Sequence, residues 1–345
     1  MEIISLLEGG TPLIPLNRLG KIIGGLKKLY MKFEGTNPTG SSEDRGMTVA
    51  VSIAKYLGVK VVVCASTGNT SSSMSAYARR AGLVPIVVLP KGKVARGMLS
   101  QSKLYGAITI FTGGNFDDAL NAIIEASKEG IVYSLNSINP WRIEGQKTVG
   151  FEIVDEIGVP DWIALSVGNA GNISALWKGL LELKRFGLIH KLPRLLVVQA
   201  ERAAPIVETF RRNAKELIFI ENPETVASAI SVGRPVHWER ALKALRESKG
   251  CAIAVSDEEI LEAQKLIAKF EGIGVEPASA APIAGIIRAI EDKIIDRNET
   301  VVVIATSHAL KDPETASIHI HFSYYASNTR EVIKLLKKIA VHVTR

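Results

Sequence analysis

The sequence predicts an α/β protein of two lobes, each an open, mostly parallel sheet flanked by helices. Three observations carry this. Short β-branched apolar runs alternate with helical stretches from residue 60 onward. Polar, glycine- or serine-rich turns follow several of those runs, as they do where a buried strand hands over to a helix. The chain has 345 residues, of which 47% are hydrophobic, enough for a large core and for two lobes.

The elements follow in order. "VVVCA" (61–65) is apolar at every position, the pattern of a parallel strand buried on both faces. The turn "STGNTSSS" leads into a helix ending near Gly82, and "PIVVLP" (85–90) is the next strand. A helix over 94–105, a strand over 107–111, a helix over 116–128 and a strand "IVYSL" (131–135) complete the first run. In the second half "DWIALSV" is a strand, and "GNAGNISALWKGLLELKRFG" is a glycine-rich turn running into a helix. "RLLVVQA", "CAIAVS" and "TVVVIAT" (300–306) are further strands, with helices between the earlier ones. The basic stretch 330–345 reads as a solvated helix and strand. No repeat, low-complexity segment or flexible linker interrupts the pattern, so short crossings should join the lobes.

Composition excludes several classes. The net charge is +7, but the basic residues are scattered and aromatics are only 6%, so no nucleic-acid surface is expected. The excess positive charge suits anionic ligands. No apolar run is long enough for a membrane helix, and the first residues show no basic leader, so the expectation is a cytoplasmic protein. Two cysteines, Cys64 and Cys251, sit in apolar runs and read as buried thiols. They suggest neither a disulfide framework nor a metal site.

Three turns carry candidate chemistry. In "SVGNAGN" (166–172) a strand ends, Gly168 and Gly171 allow close approach of the backbone, and a helix begins. Free N–H groups and the helix dipole there suit an anion, most naturally phosphate; an ordinary tight βα turn is the alternative. "STGNTSSS" (66–73) also follows a strand, where open α/β sheets bind ligands. Asn69 is placed to bond a ring substituent and Thr67, Gly68 and Thr70 to hold a carboxylate; a serine-rich helix cap is the alternative. In "ATSHALKDP" (305–313), His308 reads as a structural histidine.

In this order the turns resemble the threonine synthase family of fold-type-II pyridoxal-phosphate (PLP) enzymes. The match runs from "EGGTPLIPL" (8–16) through "NPTGS", "STGNTS", "NSINPWRIEGQKT", "VGNAGN" and "EPASAA" to "LKDPETA" (310–316). The resemblance implies that Gly168, Asn169, Ala170, Gly171 and Asn172 hold the PLP phosphate. It implies that Asn69 bonds the ring hydroxyl, that Thr306 faces the ring nitrogen, and that Ser66, Thr67, Gly68 and Thr70 are on the substrate side. It also implies a homodimer, and lobes made of 1–49 with 147–345 (large) and of 50–146 (small). In the family a lysine forms a Schiff base with the cofactor and relays protons as O-phosphohomoserine becomes threonine.

This chain departs from the pattern N-P-T-G-S-F-K-D-R-G at its reactive position. Asn37 to Ser41 and Asp44 to Gly46 agree, but Ser42 replaces the phenylalanine and Glu43 the lysine. Ser231 stands where an arginine is usual, and Ser307 and Ala309 where glycines are, adding bulk close to the ring. A carboxylate cannot form a Schiff base. Lys32 is on the preceding strand and Lys91, Lys93, Lys103, Lys147 and Lys311 are at or near other loops, and nothing in their spacing brings one to the ring aldehyde. The expectation is therefore a threonine synthase-like protein without Schiff-base catalysis, binding a phosphate-bearing ligand, non-covalent PLP or an amino acid. An active synthase, using another lysine or carrying an engineered Lys→Glu change, is the alternative.

Overall fold

The computed structural model describes residues 1–66, 68–90, 96–113, 116–318 and 324–343. The chain opens with β1 (Leu13–Pro15), α1 (Asn17–Ile22), β2 (Lys28–Phe33) and α2 (Glu43–Tyr56). Four strands then alternate with helices: β3 (Val61–Ala65), α3 (Asn69–Arg80), β4 (Val84–Pro90), α4 (Arg96–Leu104), β5 (Ile108–Thr112), α5 (Phe116–Lys128) and β6 (Tyr133–Ser134). Two helices, α6 (Pro140–Gln146) and α7 (Thr148–Ile157), lead to β7 (Trp162–Ser166), α8 (Gly171–Arg185), β8 (Arg194–Ala200), α9 (Pro205–Arg211), α10 (Trp238–Glu247) and β9 (Cys251–Val255). The chain continues through α11 (Asp257–Glu271), α12 (Pro277–Glu291), β10 (Thr300–Ala305), α13 (Pro313–Ser317) and α14 (Thr329–Val343).

The strands form two sheets. One has the order β1-β2-β10-β7-β8-β9, and the other β5-β4-β3-β6. Every pairing is parallel except β1 with β2. The central strand β10 shows why its run is apolar throughout. Val301, Val303 and Ala305 pack into a core with α1, α11 and α12, while Val302 and Ile304 pack into one with α7, α8, α9 and α10. Successive side chains of a strand point to opposite faces, and helices cover both faces here. In the smaller sheet β3 does the same. Val62 and Cys64 face α2 and α3, and Val63 and Ala65 face α5.

Local signals fix the helix ends. Ser256 caps α11 by accepting from Glu259 N at 3.2 Å, and Glu259 Oε2 accepts from Ser256 N at 2.6 Å. This reciprocal pair satisfies two otherwise free donors. Helices α2 and α6 cross closely because both carry glycine at the contact. A Cβ on Gly145 would lie 1.7 Å from Arg45 O, and one on Gly46 would lie 3.1 Å from Arg142 O. That crossing brings residue 142 to the start of α2.

Three expectations need correction. The run 131–135 yields a strand of only two residues, β6, whose side chains are half-buried at the sheet's edge. The basic C-terminal stretch is one helix to Val343, with no strand among its described residues. Cys64 is buried, but Cys251, first residue of β9, is only half-buried.

Candidate functional site

The carboxyl ends of β3, β7 and β10 open onto one cavity of about 700 Å³. This is where parallel α/β sheets place ligands. Its lining includes Glu43, Ser66, Gly68, Asn69, Thr70, Gly168 to Asn172 and Thr306. Of the residues expected to contact cofactor or substrate, all but Thr67 are in this lining, and Thr67 lies outside the described residues.

The turn after β7 has the form of an anion cradle. None of the backbone N–H groups from Gly168 to Asn172 finds a protein acceptor among the described residues. Ala170 sits in the left-handed region at φ +64° directly before α8, a conformation unusual for a residue with a side chain. The Asn172 side chain holds the turn, donating to Ser166 O at 2.6 Å and accepting from Ile173 N at 2.8 Å. Asn169 O accepts from His237 N at 3.2 Å. Gly168 is a glycine for space, since a Cβ there would lie 2.9 Å from Ala229 O. Free donors at the start of a 15-residue helix, with its dipole behind them, have the chemistry that suits an anion.

At the other end, Glu43 is the first residue of α2, and its carboxylate Oε2 accepts from Arg142 of α6. The Arg142 side chain is 4% exposed and that of Glu43 22%. Arg142 also donates to Leu135 O at 3.3 Å, and its Nε is buried without a partner. Ser42 N donates to Thr306 O at 2.8 Å, tying the start of α2 to the end of β10. Thr306 Oγ1 is 3.0 Å from Ser279 Oγ, so its hydroxyl is already engaged from α12.

Glu276 stands directly before α12, in the cavity wall. Asn69 Nδ2 donates to both of its carboxylate oxygens at 3.2 Å, and Asn69 Oδ1 is left buried with no partner. Burial pushes the Glu276 carboxyl up to about 7, against the opposing pull of Asn69, Lys311 and Ser307. The folded value lies above the unfolded 4.5, so the native state binds the extra proton between those values. The contribution of this group to stability is therefore greatest below 4.5 and is lost as pH rises through about 7. Glu276→Gln removes the buried charge. It should raise the stability at about pH 8 by on the order of 1–3 kcal/mol, with the gain fading towards about pH 4. Thermal unfolding of both forms across pH checks this, and a gain of equal size at all pH would contradict it.

No lysine lines the cavity among the described residues. Lys311 is buried behind its wall, where Nζ donates to Thr39 O at 3.1 Å, to Ser72 Oγ at 2.8 Å and to Gln101 Oε1. Burial pushes its ammonium down to about 8, opposed by the charges of Glu276, Asp44 and Glu43. Lys32 is held by Thr11 O, Glu152 and Glu156. Lys147 pairs with Glu144 and Glu182, and Lys103 is exposed on α4. Lys91 and Lys93 lie outside the described residues.

The other substitutions also have places. Ser231 lines the cavity and donates to Pro223 O at 3.1 Å. Ser307 and Ala309 are not in the lining, which corrects the expectation that they add bulk at the ring. Ser307 Oγ turns away to Gly40 O at 3.1 Å, and Ala309 lies against Gly274. His308 accepts from Leu310 N through Nδ1 at 3.0 Å, a structural bond. Sequence reasoning does not single out Arg142 or Glu276, although both lie within the matched motifs. The available signal is a charged residue inside each motif, Arg142 in "NPWRIEGQ" and Glu276 before the helix-opening Pro277.

Residues 4–307 match the family described as pyridoxal-phosphate dependent enzyme. The threonine synthase of Methanocaldococcus jannaschii is 56% identical over 317 residues, covering 91% of this chain and 78% of that protein. The threonine synthase of Mycobacterium bovis is 51% identical over 315 residues, covering 91% and 85%. Among solved structures, maize serine racemase superposes with a TM-score of 0.75 at 19% identity, covering 88% of this chain and 91% of that one. Holo diaminopropionate ammonia lyase from Escherichia coli gives 0.76 at 16% identity, covering 91% and 88%. At such identity these two structures speak to the fold alone.

Proposed function

The chain belongs to the pyridoxal-phosphate dependent enzyme family, as a threonine synthase-like protein of fold type II, and from that premise we propose that it has lost Schiff-base catalysis while keeping a pocket for a phosphate-bearing ligand. The observation that carries this reading is the Glu43–Arg142 ion pair at the position of the family's lysine, in a cavity that no described lysine lines. A carboxylate has no amine with which to condense with an aldehyde.

The residues fit PLP at two of its three ends. The unpartnered N–H groups of Gly168 to Asn172 suit its phosphate. Asn69 and Thr306 lie where the family meets the ring, and Ser66, Thr67, Gly68 and Thr70 are proposed for the carboxylate of an amino-acid ligand. The aldehyde end does not fit, because Glu43 is paired with Arg142 there and supplies no amine. No bond-making step at the aldehyde follows from this site. What the chain's own residues do is bind and orient: the turn after β7 fixes the anion, and Glu43 presents negative charge at the opposite end.

The lobe division, 1–49 with 147–345 against 50–146, is part of the same proposal. The two-sheet arrangement supports it, with the crossing between sheets made through α2. So are a homodimer and a role beside an active paralogue. An active synthase is favoured by one observation only, the buried Lys311 whose ammonium is pushed down to about 8.

Titration with inorganic phosphate tests the pocket. Binding in the millimolar range or tighter is expected, reported by amide shifts at residues 168–172. Gly168→Val should weaken it by at least about tenfold, because its side chain collides with Ala229 O. Absence of binding to the unsubstituted protein at millimolar phosphate would sink the proposal.

A further inference from the structure

We propose that this cavity selects the amine form of a pyridine phosphate, pyridoxamine 5′-phosphate, over the aldehyde PLP. The inference rests on the reading above that the turn after β7 holds a phosphate. It follows from which hydrogen-bonding atoms of the lining are still unused.

A lysine amine is complementary to an aldehyde. A carboxylate is complementary to an ammonium. Glu43 lines the cavity with one oxygen, Oε2, given to Arg142 and with no partner for Oε1 among the described residues. Pyridoxamine 5′-phosphate carries a primary ammonium on the carbon where PLP carries its aldehyde. An ammonium there meets a carboxylate in a charge-assisted hydrogen bond. An aldehyde oxygen there meets a second acceptor and gains nothing.

Asn69 points the same way. Its amide nitrogen is directed at Glu276, at 3.2 Å to each oxygen, and its acceptor Oδ1 is buried with no partner. A buried acceptor without a donor is costly, and a ligand that brings a donor recovers that cost. The ring oxygen is common to both compounds, and the ammonium of pyridoxamine 5′-phosphate is the donor that PLP lacks. An O-phosphorylated amino acid also joins a phosphate to an ammonium. It carries in addition a carboxylate, a fourth acceptor beside Glu43, Glu276 and Asn69 Oδ1 in the lining, with only the turn after β3 to receive it. Arg142 Nε is the opposing feature, a buried donor without a partner. Its guanidinium is committed to Glu43 and to Leu135 O, and PLP preferred over the amine would mean that this donor dominates.

The test is calorimetric titration of the purified protein with pyridoxamine 5′-phosphate, PLP, unphosphorylated pyridoxamine, O-phosphoserine and inorganic phosphate, in a buffer without amines. Pyridoxamine 5′-phosphate should bind at least about tenfold more tightly than PLP, the scale of one charge-assisted contact. It should also outbind O-phosphoserine, and pyridoxamine should bind far more weakly. Glu43→Gln should bring the two vitamers to within about threefold of each other. PLP binding as well as or better than the amine, with phosphate still competing, would overturn the inference and leave the phosphate pocket standing. So would O-phosphoserine as the tightest ligand. No binding of any phosphate compound would overturn both. The comparison on the unsubstituted protein decides by itself, so a Glu43→Gln variant that fails to fold does not blunt the test.

Discussion

Arg45→Ala is expected to cost the fold about 3–5 kcal/mol, the scale of a buried ion pair broken from one side. Arg45 is the third residue of α2, with its side chain 3% exposed. Its Nε donates to Glu34 Oε2 at 2.6 Å, and its two terminal nitrogens reach Glu152 at 2.5 and 2.7 Å. Thr11 and Thr148 add two more bonds at 3.0 Å. The alanine variant leaves Glu34, which is fully buried, with its charge opposed by no cation in direct contact among the described residues. Lysine cannot replace the guanidinium's fork, so Arg45→Lys should recover only part of the loss. Burial pushes Glu152 up, but Arg45 and Lys32 outweigh it and hold its carboxyl down at about 2. Its contribution is therefore present above the unfolded 4.5 and lost as pH falls through about 2. Urea unfolding across acidic pH measures both effects. A loss below about 1 kcal/mol would show that the network adds little.

Glu43→Lys is expected to give a chain that bonds PLP covalently and stoichiometrically, where the unsubstituted chain is proposed to make no such bond. The turn after β7, Asn69 and Thr306, proposed to orient the cofactor, are unchanged in the variant, and Arg142 beside position 43 disfavours the ammonium, leaving the amine free to react. Conversion of O-phosphohomoserine to threonine should still lag. Ser231, bonded to Pro223 O, offers the substrate's phosphate no charge. Each lost charged contact to a reacting phosphate costs roughly 2–4 kcal/mol of barrier, about thirtyfold to a thousandfold in rate. Adding Ser231→Arg should recover much of that. Full turnover from Glu43→Lys alone would show that Ser231 is neutral, and absence of any covalent product would show that the pocket has diverged beyond position 43.

The strands that could be read from sequence are those whose chemistry is local. β3 and β10 are apolar at nearly every position because helices cover both of their faces, and a short β-branched run of that kind fits little else than a doubly covered strand. The run 131–135 looks similar, yet it pairs along one edge of the smaller sheet for two residues only. The site divides in the same way. Gly168 to Asn172 were legible because turn and helix start are adjacent in the chain. The Arg142 partner of Glu43 was not, since it comes from a residue 99 positions away, brought in by the glycine contact of α2 with α6. Nor was Glu276, whose meaning depends on Asn69 reaching it across 207 positions. The direction of Ser307 was not legible either, because its rotamer, turned to Gly40 O, leaves no trace in the sequence. Lys311 could be named as an amine near a loop, but its three acceptors lie on Thr39, α3 and α4.

The absence of Schiff-base chemistry is tested most directly by mixing the unsubstituted protein with PLP, reducing with borohydride and mapping the peptides by mass. Glu43→Lys, treated alongside, shows what a labelled lysine looks like. The account predicts no pyridoxyl-lysine in the unsubstituted chain beyond the trace expected of exposed amines. A single lysine labelled stoichiometrically, Lys311 above all with its ammonium pushed down to about 8, would contradict it and make this chain a working enzyme with a displaced amine.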